Sequence, residues 1–174
     1  MPPVDDPSDL RSAPLPPVGA EDHVRGDARW PLLVVYADFT CPRCALAHER
    51  LHGAALRIVF RHFAIAAKHP RAVPLACAAE AAAAQGRFWE LHDALFEDPA
   101  HTDDPHLWEH AKALGIDLER FERDRRGEQV RDLVRAQTRG GMRAGVAVTP
   151  TLVLEDGTIS PGPPEAGLIQ RLTK

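Results

Sequence analysis

One four-residue stretch constrains this chain more than any other: Cys41-Pro42-Arg43-Cys44. An apolar run, Leu32-Leu33-Val34-Val35-Tyr36, precedes it, and Ala45-Leu46-Ala47-His48-Glu49-Arg50-Leu51 follows with helical character. The two cysteines therefore lie where a buried strand ends and a helix begins, the context that gives C-x-x-C a redox meaning. Unpaired backbone N–H groups and the helix dipole favour negative charge there. A thiolate at the first cysteine is stabilised, and its pKa falls below the free value of about 8.5. Two intervening residues suit a disulfide across one helical turn.

Composition narrows the class. The 174 residues suffice for one domain with a core, and 44% hydrophobic with 26% charged residues is ordinary for a globular protein. A net charge of −4 gives no support to a nucleic-acid partner or an acidic membrane surface. No apolar run is long enough to span a bilayer. The start, Met1-Pro2-Pro3-Val4-Asp5-Asp6, has neither the basic nor the apolar segment of an export signal, so a cytoplasmic address is expected. Three cysteines are an odd count for a secreted disulfide scaffold.

The chain order carries the fold. Residues 1–20 hold six prolines and little apolar content, so residues 1–21 are expected to form a flexible tail, with the domain spanning 22–174. The continuous run at about 32–37 suits a central strand covered on both faces. Pro42 is tolerated in the first turn of the helix that follows, and Gly53 marks its end. Leu56–Phe63 alternates and reads as a second strand, parallel to the first through a right-handed crossover. From about 70 to 140 the pattern is helical: an Ala-rich stretch with Cys77, then Phe88, Leu91, Leu95 and Phe96, then segments opened by Asp103 and Asp117. The last of them is expected to end near Gly140-Gly141. Strand character returns over Val146–Leu154, with a turn at Asp156-Gly157 and a partner strand from Ile159. A final helix follows Pro163-Pro164-Glu165. The result is an α/β chain, βαβ then ββα, with an all-helical insertion at about 66–145: a thioredoxin fold with an added helical block.

Several stretches together carry a family likeness. They are Asp22-His23-Val24 with Gly26, Tyr36-Ala37-Asp38-Phe39-Thr40-Cys41-Pro42-Arg43-Cys44, Phe60-Arg61-His62-Phe63, His69-Pro70, Ala78-Ala79-Glu80-Ala81, Gln85–Phe96 and Thr149-Pro150-Thr151. In this order they resemble the DsbA-like thioredoxin-fold oxidoreductases, in their soluble and antiporter-fused branch. The resemblance implies that Cys41 is the exposed nucleophile and Cys44 the buried resolving thiol. It implies that Pro150 is a cis-proline facing them, and that Thr149 offers backbone groups to a substrate strand. The better-known periplasmic members carry an acidic residue where this chain has Val35, and a histidine where it has Arg43.

Other residues divide between ordinary and chemical readings. Half of a zinc site is the alternative for Cys41 and Cys44, but a second ligand pair is missing; His48 and His52 are the nearest approach. No metal and no organic cofactor are therefore expected. Arg43 is a solvated residue or a cation that lowers the thiol pKa. Asp38 is a strand-end carboxylate or a proton acceptor for Cys44. Cys77 reads as a small buried apolar residue. Phe88, Trp89, Phe96 and Trp108 read as core, and the histidines singly as surface or core. The expected function is thiol–disulfide exchange with protein or small-molecule thiols and disulfides, recycled by a redox partner. The alternatives are a non-turnover redox sensor or binding module, and a small-molecule isomerase or transferase.

Overall fold

The computed structural model describes residues 12–174. Among these residues, five strands form one sheet in the order β1-β3-β2-β4-β5. The strands are β1 (His23–Arg25), β2 (Leu32–Ala37), β3 (Arg57–His62), β4 (Thr151–Leu154) and β5 (Ile159–Pro161). Strands β2 and β3 run parallel over six residue pairs, from Leu32 beside Arg57 to Ala37 beside His62. Their crossover is α1 (Pro42–Leu51). The other pairings, β1–β3, β2–β4 and β4–β5, are antiparallel. The five-residue run from Leu33 to Ala37 is buried, because helices or chain cover both faces of this central strand.

Between β3 and β4 come α2 (Ala72–Ala83), α3 (Phe88–Glu97), α4 (Asp104–Ala113), α5 (Leu118–Arg125) and α6 (Glu128–Arg143); α7 (Ala166–Leu172) closes the chain. Asp103 and Asp117 cap α4 and α5, each side chain accepting a backbone N–H three residues on. The Ala-rich face of α2 is buried almost throughout, since small side chains let neighbouring helices approach closely. Within it Glu80 is a buried carboxylate, its Oε1 shared by His23 Nε2 at 2.8 Å and His62 Nε2 at 2.7 Å. Burial alone would raise its pKa; the two imidazoles hold it down at about 2.

Three expectations need correction. The tail expected to be flexible is, from Ser12 on, fastened to the body: the N–H groups of Ser12 and Ala13 donate to the Arg143 carbonyl, and Leu15 packs on the core. Residues 1–11 lie outside the described residues. The anchor is Arg61, 3% exposed. It donates to Pro16 O, Pro17 O, Tyr36 Oη and both Asp22 carboxylate oxygens at 2.8–3.1 Å. Those five bonds use every N–H of a guanidinium. Next, Val146–Pro150 is not strand; β4 begins only at Thr151. Trp108 is not core: it is 37% exposed and donates its indole N–H to Glu122 at 2.8 Å. Helix α6 ends at Arg143, near the expected Gly140-Gly141, although neither glycine terminates it.

Gly141 serves packing instead. A Cβ there would stand 2.8 Å from Tyr36 Cε1 and 3.2 Å from Phe63 Cδ2, both rings buried. Gly141→Ala therefore opposes two effects: a helix-propensity gain of about 1 kcal/mol and an overpacking cost of about 1–3 kcal/mol. Net destabilisation is expected, read as a Tm lowered by several degrees. Gly140→Ala is the control, because its methyl would meet only the Pro16 ring, at 3.2 Å. A Gly141→Ala protein as stable as wild type would show that Tyr36 moves freely and the close approach is not needed.

Candidate active site

The strand-to-helix junction places the two cysteines. Cys41 is the N-cap of α1 with extended backbone, and Pro42 occupies the first turn, where a missing N–H leaves nothing unsatisfied. The Cys41 carbonyl accepts from Cys44 N at 2.9 Å and from Ala45 N at 3.2 Å, which closes the turn. Cys41 is half-buried and Cys44 buried; both are free thiols, as is Cys77. The backbone N–H of Asp38 points at Cys44 Sγ at 3.5 Å.

Across from this turn the Thr149–Pro150 peptide is cis. The Thr149 carbonyl oxygen lies 3.6 Å from Cys41 Sγ. Pro150 is buried and Thr149 half-buried, so the loop presents its backbone at the cysteine. A side-chain bond from Thr151 Oγ1 to Val148 O at 2.6 Å, and Gly162 N donating to Pro150 O at 2.7 Å, fix the loop against β4 and β5. The structure thus brings together four sequence-expected residues, Cys41, Cys44, Thr149 and Pro150.

The two sulfurs differ sharply in electrostatics. The Cys44 thiol hydrogen-bonds to the Cys41 sulfur, Thr149 adds a hydrogen bond, and the backbone N–H groups of Cys44 and Arg43 point the same way. Together, against partial burial, they pull the Cys41 pKa down to about 5. The neighbouring Cys41 sulfur, then burial, push Cys44 far above the ordinary thiol range. At neutral pH the pair is one thiolate at the surface and one thiol beneath it.

The supporting residues make contacts of their own. Arg43 offers its backbone N–H to the sulfur; its exposed guanidinium lies over Gly162, with Nη2 2.7 Å from where a Cβ would stand. The Asp38 carboxylate is turned to its own loop, its Oδ1 accepting from Thr40 N and Thr40 Oγ1, each at 2.8 Å. It shapes the junction rather than facing the buried thiol. A hollow of about 210 Å³ beside Thr149 is bordered by Asp38, Arg43, Lys68, His69 and Val148.

Behind Cys44 is a group that sequence reasoning passed over. Phe39, Phe60 and Phe96 pack face and edge within 4.8–6.3 Å, and the rings of His48 and His92 join them at 4.7–5.7 Å. Arg25 makes a two-pronged pair with Asp93 at 2.8 and 2.9 Å, and Asp93 Oδ1 also holds His92 Nδ1 at 2.8 Å. Burial drives the His92 pKa down to about 4, Asp93 notwithstanding. Ligand atoms of His48, His92 and Asp93 lie within 4.8 Å of one another. With both Asp93 oxygens engaged by Arg25, they form an ion-pair network and not a vacant donor set for a metal. A usable signal existed: His48 stands four residues after Cys44, on the same helix face.

Comparison with known proteins gives concordant results. The family model described as thioredoxin matches residues 20–168. A thioredoxin-like oxidoreductase from Silicibacter pomeroyi superposes with a TM-score of 0.79 at 25% identity, covering 88% of this chain and 91% of that one. Wolbachia pipientis alpha-DsbA1 superposes with a TM-score of 0.74 at 19% identity, covering 90% and 92%, a likeness of fold. Among curated proteins, Na(+)/H(+) antiporter NhaA 1 of Mycolicibacterium gilvum is 46% identical over 63% of this chain and 19% of its own length. That of Mycolicibacterium vanbaalenii is 37% identical over 86% of this chain and 26% of its own. The chain thus spans about a fifth to a quarter of those relatives' length. No helix among the described residues is long and apolar enough to cross a membrane.

Proposed function

This chain belongs to the thioredoxin family, and on that premise we propose that it is a thiol–disulfide oxidoreductase working through Cys41-Pro42-Arg43-Cys44. One observation carries the reading: a half-buried sulfur with a pKa of about 5 stacked on a buried thiol, facing the backbone of Thr149-Pro150. In the reducing direction the Cys41 thiolate attacks a substrate disulfide. A Cys41–substrate S–S bond forms, and the other half of the substrate leaves as thiolate. Cys44 then attacks Cys41 Sγ; the Cys41–Cys44 disulfide forms and the substrate departs with two electrons gained. Oxidation of a dithiol is the same sequence reversed. A substrate disulfide in an extended segment fits beside Thr149, and a small-thiol disulfide fits the adjoining hollow. A recycling redox partner resets the pair.

Direction follows the potential of the couple, near about −270 mV for a thioredoxin-like reductant and about −120 mV for a DsbA-like oxidant. The test is turnover of a protein disulfide with a small dithiol as electron source. Wild type is expected to accelerate it, Cys41→Ser to abolish it, and Cys44→Ser to accumulate a Cys41 mixed disulfide. Absence of both turnover and trapped adduct would sink the proposal.

A second reading is favoured by the curated relatives, which are named as antiporters and of which this chain matches a fraction. In that reading the dithiol is a sensor that reports redox state without turnover. It predicts a titratable Cys41–Cys44 couple but no acceleration of substrate reduction.

A further inference from the structure

The resolving step has a proton to dispose of, and the inference here rests on the exchange reading above. Cys44 must become a thiolate before it can attack Cys41, yet it is 2% exposed. The Asp38 N–H at 3.5 Å can steady that thiolate but cannot accept its proton. The Asp38 carboxylate is held toward its own loop, its Oδ1 taking two hydrogen bonds from Thr40.

Beneath Cys44 is a cavity of about 20 Å³, room for one water. Val35, Ala47 and Phe60 give it apolar walls; Arg25 also lines it, and the side chains there able to accept a proton are the imidazoles of His48 and His92. His48 lies one helical turn beyond Cys44 on α1, so both side chains leave the same face. On its other side His48 borders an open groove of about 600 Å³ with Leu46, Glu49, His52 and Glu97. His48 is the one titratable side chain common to cavity and groove among their described borders. Phe96, stacked on it at 5.4 Å, completes the partition.

We propose that His48 takes the Cys44 proton through a water in the shared cavity and delivers it to solvent in the groove. As the Cys44 S–H bond breaks, its electron pair attacks Cys41 Sγ, and the Cys41–substrate bond breaks. The substrate sulfur leaves as thiolate, and the proton resides on the imidazole until solvent takes it. Asp93, its Oδ1 3.9 Å from His48 Nδ1, steadies the imidazolium and is a positioning residue, as are Arg25 and His92 through it. Asp93 and Glu97 favour protonation of His48, while Arg25 and His52 oppose it. Burial outweighs the rest and places its pKa below the ordinary 6.5, so that it is a neutral base at pH 7.

An aromatic disulfide that releases one coloured thiolate per attack separates the two steps in a rapid-mixing experiment on Cys77→Ala protein. The first phase is Cys41 attack; the second is Cys44 attack on the mixed disulfide. In wild-type His48 background the second phase is expected to slow as pH falls through a value below 6.5 and to show a solvent deuterium isotope effect. His48→Gln is expected to leave the first phase intact, to slow the second about 100-fold at pH 7 and to make it proportional to hydroxide. His92→Gln, which borders the cavity but not the groove, should slow it less. A second phase unchanged by His48→Gln overturns the inference while leaving the exchange reading in place. If His48→Gln does not fold, as a lost first phase would reveal, a second phase without isotope effect or acid limb in the His48 protein overturns it equally. A missing first phase in that parent protein overturns the exchange reading instead.

Discussion

Replacing Cys44 with alanine will raise the Cys41 pKa from about 5 to between about 6 and 7. Three sources hold the thiolate: the Cys44 thiol hydrogen bond, a hydrogen bond from Thr149, and the backbone N–H groups at the start of α1. A hydrogen bond to a charged group contributes about 1.5–3 kcal/mol, and a helix terminus about 0.3–1 kcal/mol at an exposed position. The thiol bond is the largest, and at 1.36 kcal/mol per pH unit its loss corresponds to about one to two units. Thr149 and the backbone donors survive the substitution and keep the value below about 8.5. The measurement is the rate of Cys41 alkylation against pH in Cys77→Ala protein with and without Cys44→Ala. A midpoint that stays near 5 after removal of Cys44 would assign the whole effect to Thr149 and the helix terminus. Reactivity changes less than ionisation does, because a more basic thiolate is also the better nucleophile.

Arg61→Ala will destabilise the protein by about 3–5 kcal/mol, the range for breaking a buried ion pair by removing one partner. Against a total stability of about 5–15 kcal/mol that is a large fraction. The substitution strands the Asp22 carboxylate, the Tyr36 hydroxyl and two carbonyls that Arg61 now satisfies. Arg61→Lys should recover only part of the loss, since an ammonium has three donors and no fork. Burial would raise the Asp22 pKa; Arg61 and the Gly19 N–H hold it below the ordinary 3.8. The stabilisation from that pair is therefore complete above about pH 3.8 and is lost as pH falls through the lowered value. Urea denaturation at pH 7 reads the main effect, and limited proteolysis between residues 12 and 22 reads whether the arm has come loose. A cost under about 1 kcal/mol with the arm still protected would contradict the role assigned to this side chain.

The strands and helices that bury a long periodic face were legible in the sequence: β2 from its unbroken apolar run, β3 from alternation, α3 from Phe88, Leu91, Leu95 and Phe96. What escaped notice had no period to show. Strand β1 is three residues long and owes its existence to pairing with β3. The arm at 12–21 has the composition of a tail, yet Arg61 and the Arg143 carbonyl, both distant in the chain, supply bonds that hold it. Gly141 carries the signature of a helix end, and only the position of Tyr36 reveals it as a contact. In the site, Cys41 and Cys44 were marked by their spacing at a strand-to-helix junction, and Thr149 and Pro150 by the family resemblance. His48 carried a local signal in its spacing from Cys44, whereas His92, Asp93 and Arg25 are unremarkable alone and converge on it only when α1, α3 and β1 are packed together.

The placement of the three sulfurs bears on oxidative damage. A peroxide reaches the surface sulfur, Cys41, and meets it as thiolate; the buried Cys44 and Cys77 both have pKa values held above the ordinary thiol range. Cys77 sits among Ala72, Ala76 and Val134, out of reach of the other two. Attack at Cys41 gives a sulfenic acid, which a neighbouring thiol condenses to a disulfide with loss of water. Cys44 stands directly beneath it to do so. The arrangement stops the oxidation ladder at its reversible rung: the sulfur most open to injury is the one whose injury the next turn of the helix can undo.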